Sequence, residues 1–303
     1  MSLLNRCNFG CTYCTEGTTP NLKINSHETP ALEFSELVYI IQKLHNELNL
    51  KTIRLTGGEP LLYSQLPELV YALNKMGIPE IKITTNGFLL ERLAPILKTS
   101  GLKTVNVSLD ALDEDVFFLV SRRMHLQKVL DGIEAARIAG MDVRINSVIM
   151  KGVNHTQLIP LLEYAFERGI VIRFLELMKM GHLHNHSDSY FFSQHEMLEK
   201  ISMKYGISRL PRKTGSTANY WKCDNEQVFG IIANETEPFC ADCDRLRLDS
   251  RGNIHGCLSS NEPISISRVN DSEILRQQLR KALSQKQDVK FKGSELSMME
   301  IGG

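Results

Sequence analysis

The stretch Lys51–Pro60, KTIRLTGGEP, joins an aliphatic run to a glycine-rich turn. A β-branched and aliphatic run that ends in turn residues is typical of a buried β-strand. Four more stretches follow the same pattern: EIKITTNG from Glu80, LKTVNVSLD from Leu102, MDVRINSVIM from Met141 and GIVIRFLELM from Gly169. We therefore expect these stretches to form strands of one sheet.

Amphipathic helical patterns separate the predicted strands. They span about residues 34–48, 66–75, 90–98, 126–139 and 157–168. With the short apolar stretch Ser2–Leu4 added in front, the alternation gives about six βα units. Near-continuous apolar strands alternating with helices indicate a parallel sheet covered by helices, so the predicted fold class is α/β.

The pattern changes after Met180. A polar loop, GHLHNHSDS, is followed by a helical pattern near 195–205, a pair of strand patterns around 220–232 and a last helical pattern near 271–283. We interpret residues 1–181 as one domain and residues 182–303 as a second, smaller α+β domain. The alternating His182, His184 and His186 could form a metal-binding tract, but in a polar loop we expect them to be solvated.

The composition limits the partners of this chain. Its 303 residues carry 35 basic and 35 acidic side chains, so nothing indicates nucleic acid as a partner. No apolar run is long enough to cross a bilayer and no signal peptide is visible, so we expect no membrane partner and a cytoplasmic location.

The cysteines form two spaced triplets, Cys7, Cys11, Cys14 and Cys240, Cys243, Cys257. Three thiolates within a few residues can bind one soft metal centre, yet structural zinc and ordinary four-cysteine clusters want four ligands. Each triplet therefore needs a ligand from elsewhere or keeps one position open; a zinc site is the plainer alternative. The seventh cysteine, Cys223, is interpreted as a small buried hydrophobe.

Chemically unusual residues follow the predicted strands. The first triplet comes after the first strand, Gly57–Pro60 after the second, Asn86–Gly87 after the third and Asp110 after the fourth. In parallel sheets and barrels, functional residues gather at the carboxyl ends of the strands. We expect the active site at that edge.

The spacing of CNFGCTYC, Cys7–Cys14, together with TGGEP, Thr56–Pro60, resembles the radical SAM enzymes. The second triplet, with CDRLRLDSRGNIHGCL running through it, resembles the GTP 3′,8-cyclase family. RLTGGEPL, TTNG, NVSLDALD, IRFLELM and the terminal MMEIGG do so too, in order along the whole chain. The resemblance implies a partial (β/α)6 TIM-type barrel followed by a domain that holds an auxiliary cluster.

The resemblance also implies a reaction and its cofactors. GTP would be converted to 3′,8-cyclo-7,8-dihydro-GTP in molybdenum cofactor biosynthesis, with two [4Fe–4S] clusters, one on each triplet. S-adenosylmethionine would take the open iron of the first cluster, which accounts for the missing fourth ligand. An external electron donor, a downstream pterin synthase and a second copy of the chain in a homodimer are the implied partners.

The site residues are assigned by the same correspondence. The implied S-adenosylmethionine contacts are Tyr13, Gly57, Gly58, Glu59, Ser108 and Met178. The implied GTP contacts are Arg54, Thr84, Arg144, Arg245, Leu246 and Arg247, and the implied catalytic residues are Arg245, Arg247, Gly302 and Gly303. Guanidinium forks match phosphate oxygens, and glycines allow close approach because they have no Cβ.

Two departures from the family pattern bear on these assignments. The family has an arginine seven residues before the first cluster cysteine, and this sequence starts one residue too late to contain it, which we interpret as a truncated start. Tyr63-Ser64 stand where the family tends to have a basic pair. The alternatives are a peptide-modifying radical SAM enzyme with an auxiliary cluster, and an inactive homologue that serves as a metal-binding scaffold.

Overall fold

The fold was analysed in a computed structural model, which describes residues 1–16, 31–185, 187–287 and 289–301. The helices in these ranges are α1 Phe34–Leu48, α2 Leu66–Lys75, α3 Leu90–Thr99, α4 Glu114–Ser121, α5 Leu126–Ile138, α6 Leu158–Glu167, α7 Gln194–Ser202, α8 Ser272–Leu283 and α9 Met298–Ile301. The strands are β1 Thr52–Leu55, β2 Glu80–Thr85, β3 Thr104–Ser108, β4 Asp142–Ile149, β5 Val171–Glu176, β6 Ile207–Arg209, β7 Asn219–Cys223, β8 Val228–Ile232, β9 Arg247–Leu248, β10 Asn253–His255 and β11 Ile264–Ser265.

The main sheet has eight strands in the order β1-β2-β3-β4-β5-β8-β7-β6. Strands β1 to β5 pair in parallel with their neighbours in chain order, and β8 joins β5 in parallel. Strands β7 and β6 close that edge in antiparallel fashion. At the other edge, Ser2 makes a single parallel bridge to Thr56, so the expected first strand is reduced to one bridge.

The two faces of the sheet differ in chemistry. In β2 and β4 buried residues alternate with half-buried or exposed ones, and the buried set, such as Ile83 and Ile145, packs under the helices. The other face carries polar side chains in register: Thr84 lies beside Asn106, which lies beside Arg144. Because side chains alternate along a strand, this register puts the polar residues together inside the curved sheet.

The predicted helices and strand pair are present within one to three residues of the expected bounds. Helix α4 was not predicted; its N-terminus is capped by Asp113, which accepts hydrogen bonds from the backbone N–H groups of Asp115 and Val116 at 3.1 and 3.0 Å. Strands β6 to β8 lie beyond residue 182 and still belong to the main sheet, so the two expected domains share it. The boundary at 181/182 stays a prediction.

A small antiparallel sheet, β11-β10-β9, lies in the part of the chain that carries the second cysteine triplet. Cys240 opens a single 3-10 turn, Cys240–Asp242, and Cys257 comes two residues after β10. Helix α8 packs against β10 and β11. Among the helices described, none is both long and apolar enough to cross a membrane.

Candidate active site

The first cysteine loop is held by the glycine-rich turn after β1. The Gly58 N–H donates to the Leu4 carbonyl at 2.7 Å, and the Glu59 N–H donates to the Arg6 carbonyl at 2.9 Å. A Cβ on Gly58 would lie 2.1 Å from the Arg6 oxygen, and one on Gly57, at φ +146°, would lie 2.7 Å from the Leu4 oxygen. Both glycines thus let the backbone before Cys7 approach closely.

Helix α4 supports the same loop from its other side. The N–H groups of Gly10 and Thr12 donate to the carbonyls of Ser121 and Val120 at 3.0 and 2.9 Å. These carbonyls belong to the last turn of the helix, where they lack partners within the helix. The unpredicted helix therefore fixes the course of the chain between Cys7 and Cys14.

Glu59 links the turn to the end of β2. It is 1% exposed, and its carboxylate accepts from Leu61 N at 3.0 Å, Thr85 Oγ1 at 2.6 Å and Asn86 N at 2.8 Å. Burial raises the pKa of this carboxyl to about 7, and the hydrogen bonds oppose that shift. The implied cofactor contact at Glu59 thus also has a structural role.

Asn86 carries this connection to the first cysteine. Its Nδ2 donates to Asn8 Oδ1 at 2.8 Å and lies 3.8 Å from Cys7 Sγ. The asparagine of the TTNG motif therefore orients the first cysteine loop. Sequence reasoning quoted the motif but assigned Asn86 no role.

Tyr13, an implied S-adenosylmethionine contact, is anchored at the ends of β3 and β4. Its hydroxyl donates to Asp110 Oδ2 at 2.8 Å, and the other carboxylate oxygen accepts from Val148 N at 2.8 Å. Burial raises the pKa of Asp110 to about 6. The buried carboxyl holds Tyr13 beside Cys11 and Cys14.

Burial disfavours the ionisation of the three thiols in the first triplet. Burial among neighbouring atoms raises the pKa of Cys7 to about 12 and of Cys14 to about 11, and raises that of Cys11 well above its usual range. Bound iron would favour the thiolates and release these protons. In the described ranges, no three His, Cys, Asp or Glu side chains meet closely enough to hold a single metal ion.

Arginines from both halves of the chain come together on the polar face. Burial, followed by the charges of Arg173, Arg245, Arg247 and Arg144, lowers the pKa of Arg54 to about 10. Burial and Arg245 likewise lower the pKa of Arg247 to about 10. A site that brings cations this close attracts a polyanion.

Arg173 is the member of this group that sequence reasoning missed. It lies in β5, is 5% exposed, and donates through Nη2 to Asn106 Oδ1 at 2.7 Å. A charged residue between Ile172 and Phe174, among the apolar residues that precede Glu176 in this strand, was the available signal. Whether this arginine faces the site depends on which face of the sheet turns inward.

The structure places other implied site residues on or near this face. Thr84 Oγ1 is buried without a hydrogen-bond partner among the described residues, and Ser108 lies in register with Asn146. Met178 packs beside Met180 and Ile301, and Leu246 packs against the main core.

The second triplet lies beside Arg245. The Cys243 N–H donates to the Cys240 carbonyl at 3.1 Å, and Arg245 Nη1 lies 3.8 Å from Cys243 Sγ. Arg245 also donates through Nη2 to the Gly215 carbonyl. Burial and the neighbouring Cys257 and Cys243 raise the pKa of Cys240. Arg245 and the second triplet therefore form one unit.

Helix α9 contacts the first triplet. The backbone N–H of Met299 in α9 donates to the Cys14 thiol. Ile301 is fully buried beside Met180 and Phe291. The implied catalytic pair Gly302-Gly303 lies outside the described residues, as does His186. His182 contacts the cluster loop, with Nε2 2.9 Å from the Thr12 carbonyl oxygen.

Comparison with known proteins identifies the family. The profile of the radical SAM superfamily matches residues 1–165, and that of Molybdenum Cofactor Synthesis C matches residues 170–293. A protein of Staphylococcus haemolyticus named GTP 3′,8-cyclase is 39% identical over 290 residues, covering 92% of this chain and 85% of its own. One of Staphylococcus saprophyticus, with the same name, is 38% identical over 265 residues, covering 86% and 78%.

The chain belongs to the GTP 3′,8-cyclase family of radical SAM enzymes. Solved structures of the same fold include Streptococcus suis SuiB bound to its precursor peptide SuiA, with a TM-score of 0.65, 16% identity, and 90% of this chain matched to 63% of that one. Another is anSMEcpe with bound AdoMet, with a TM-score of 0.65, 14% identity, and 94% matched to 80%. The predictions of the family, the fold, and an enzyme using S-adenosylmethionine and [4Fe–4S] clusters are confirmed.

Replacing Gly58 with alanine should disrupt the first cysteine loop. The added Cβ would lie 2.1 Å from backbone oxygen, so the loop must move at a cost of about 1–3 kcal/mol or more. We expect Gly58→Ala to lower the free energy of unfolding in urea and the iron bound after anaerobic reconstitution. Gly206→Ala is the control, because its Cβ would meet nothing closer than 3.5 Å. Equal iron content in both variants would contradict this role.

Glu59 should make the stability of the metal-free chain depend on pH. Its pKa of about 7 lies above the ordinary 4.5, so its stabilising contribution is fully present below about pH 4.5 and lost as pH rises through 7. We expect Glu59→Gln to remove this loss, on the order of 3 kcal/mol. Urea unfolding at about pH 5 and about pH 8 measures it. Exposed Glu68→Gln is the control, and parallel pH profiles of the Glu59 variant and wild type would refute the assignment.

Proposed function

We propose that this chain is a GTP 3′,8-cyclase that forms 3′,8-cyclo-7,8-dihydro-GTP in molybdenum cofactor biosynthesis. The observation that carries the proposal is the meeting of arginines from the barrel strands and from the second cysteine segment. A binding site shared by both halves fits a substrate that must contact both triplets. The names of the relatives support the same reaction.

The arginines would hold the triphosphate. Arg54, Arg144 and Arg173 come from β1, β4 and β5, while Arg245 and Arg247 come from the second cysteine segment. Their mutual repulsion is relieved when an anion enters, so part of the binding energy is prepared in the folded protein. Guanidinium groups also hydrogen-bond two phosphate oxygens at once, which orients the nucleotide.

The first triplet would hold the cluster that binds S-adenosylmethionine. When bound, these groups supply an electron and a carbon radical able to remove hydrogen from the ribose. The residues of this chain position the first cysteine loop and enclose the site. Tyr13, fixed by Asp110, and Asn86, beside Cys7, orient the loop, and α9 covers Cys14. Such enclosure excludes water and protects a reactive species from side reactions.

The second triplet would hold the auxiliary cluster next to the nucleotide. Arg245 lies beside Cys243, so a base near that cluster and phosphates near the arginines are compatible with one bound GTP. Gly302-Gly303 remain proposed catalytic residues, and the contact of Met299 with Cys14 brings the chain near the first triplet three residues before Gly302. The electron donor, pterin synthase and homodimer remain proposed partners.

No specific observation favours the alternatives. SuiB was solved with a peptide, but at 16% identity it shares the fold alone with this chain. An inactive scaffold would not need five arginines held near one another at an energetic cost.

The function is tested on anaerobically reconstituted, reduced protein incubated with S-adenosylmethionine and GTP. We expect 5′-deoxyadenosine together with a cyclised nucleotide. Cleavage of S-adenosylmethionine without a nucleotide product would contradict the cyclase assignment, and absence of both products would favour the scaffold. ATP in place of GTP is the control for base recognition.

Removing one arginine should separate binding from folding. We expect Arg54→Met to weaken GTP binding by about 2–4 kcal/mol, because a charged hydrogen bond in a closed site is lost. The same change relieves repulsion among the arginines, so the unliganded protein should be no less stable. Calorimetry and urea unfolding measure the two effects. Exposed Arg92→Met is the control; unchanged GTP affinity of Arg54→Met would place the triphosphate elsewhere.

A further inference from the structure

The C-terminal end of α8 is fitted against the loop that carries Cys257. A Cβ on Gly256 would lie 1.7 Å from the Ala282 carbonyl oxygen, so only glycine allows this approach. Just past the helix, Gln285 Oε1 accepts from Gly256 N at 2.9 Å. The residues that follow α8 are therefore held at a fixed place beside the second triplet.

From this position, the Lys286 side chain contacts three residues of the segment that carries the second triplet. Its ammonium lies 3.8 Å from Cys243 Sγ, 2.6 Å from the Arg245 carbonyl oxygen and 3.4 Å from the Gly256 carbonyl oxygen. An ammonium group has three N–H donors and no acceptor, so these contacts account for all of them. Lys286 thereby contacts Cys243, a proposed ligand. It also contacts Gly256, which precedes the proposed ligand Cys257, and the backbone of Arg245, a proposed substrate residue.

The charge of Lys286 acts on the same sulfur. The residue lies half-buried, so its ammonium, 3.8 Å from Cys243 Sγ, is only partly screened by water. Arg245 and Arg247 are also cations near Cys243, and we assign both of their guanidinium groups to the substrate. Lys286 is thus a cation at this triplet that the proposed reaction does not use.

The potential of an iron–sulfur cluster rises with hydrogen bonds to its sulfurs and with nearby positive charge. We propose that Lys286 is a positioning residue for the auxiliary cluster: it donates a hydrogen bond to the Cys243 thiolate, raises the cluster's reduction potential, and fixes the backbone that presents Arg245. The inference rests on the proposed function in one respect, that the second triplet holds a cluster.

The experiment is a redox titration followed by electron paramagnetic resonance. The first triplet is replaced by alanines in the full chain, so that the signal comes from the auxiliary cluster alone. We compare Lys286→Met, Lys286→Arg and Lys281→Met, the last being an exposed lysine on α8. We expect a lower reduction potential in Lys286→Met, a value nearer wild type in Lys286→Arg, and no change in Lys281→Met.

The outcomes separate this proposal from the cyclase function. If Lys286→Met keeps its iron and the wild-type potential, the proposal is overturned. If that variant cannot hold iron, Lys286→Gln removes the positive charge and keeps a neutral N–H donor. We then expect a potential below those of wild type and Lys286→Arg, and equal potentials in all three would show that the ammonium charge does not raise the potential and would overturn the proposal. A shifted potential in Lys286→Met, together with failure of the wild-type chain with both triplets intact to cyclise GTP, would support the role of Lys286 and refute the cyclase assignment. A wild-type C-terminal triplet that binds no iron would overturn both.

Discussion

The close backbone packing of the turn Thr56–Glu59 against the segment before Cys7 is the contact on which the rest of the site depends. Four backbone hydrogen bonds join these segments, and the absence of a Cβ on Gly57 and Gly58 allows them to approach this closely. Because Glu59 is buried and bonded to the end of β2, the position of the cysteine loop is transmitted from strand to strand. These contacts thereby make the cysteine loop rigid, as a metal centre requires.

Electrostatic strain is concentrated where the substrate is proposed to bind. The fold places several arginines within reach of one another and partly out of water, which raises the free energy of the empty site. The buried thiols of Cys7, Cys11 and Cys14 have raised pKa values, so they stay neutral until a metal displaces their protons. An anion would therefore neutralise a charge pattern that the unliganded chain sustains through its packing, whereas a metal would create the thiolates that it binds.

The C-terminal part of the chain contacts both cysteine triplets. Met299 contacts Cys14, and Lys286 contacts Cys243, although each is far from its partner in the sequence. Met299 makes its contact through the backbone N–H in the first turn of α9, where such groups lack partners within the helix, and Lys286 makes its contact through the side chain, three residues after α8. The second part of the chain thus shares one sheet with the first part and also contacts a cysteine of each triplet.

The sequence by itself determined the alternation of strands and helices, both cysteine triplets and the glycine turn, because these signals are local: period, spacing and turn chemistry. It also marked Arg54, Arg144, Arg245 and Arg247 by resemblance, and the structure brings them together. The tertiary structure alone decided that Arg173 joins them, that β8 pairs in parallel with β5, and that Lys286 meets Cys243. Such contacts depend on the curvature of the sheet and on packing between distant segments, which no local pattern encodes.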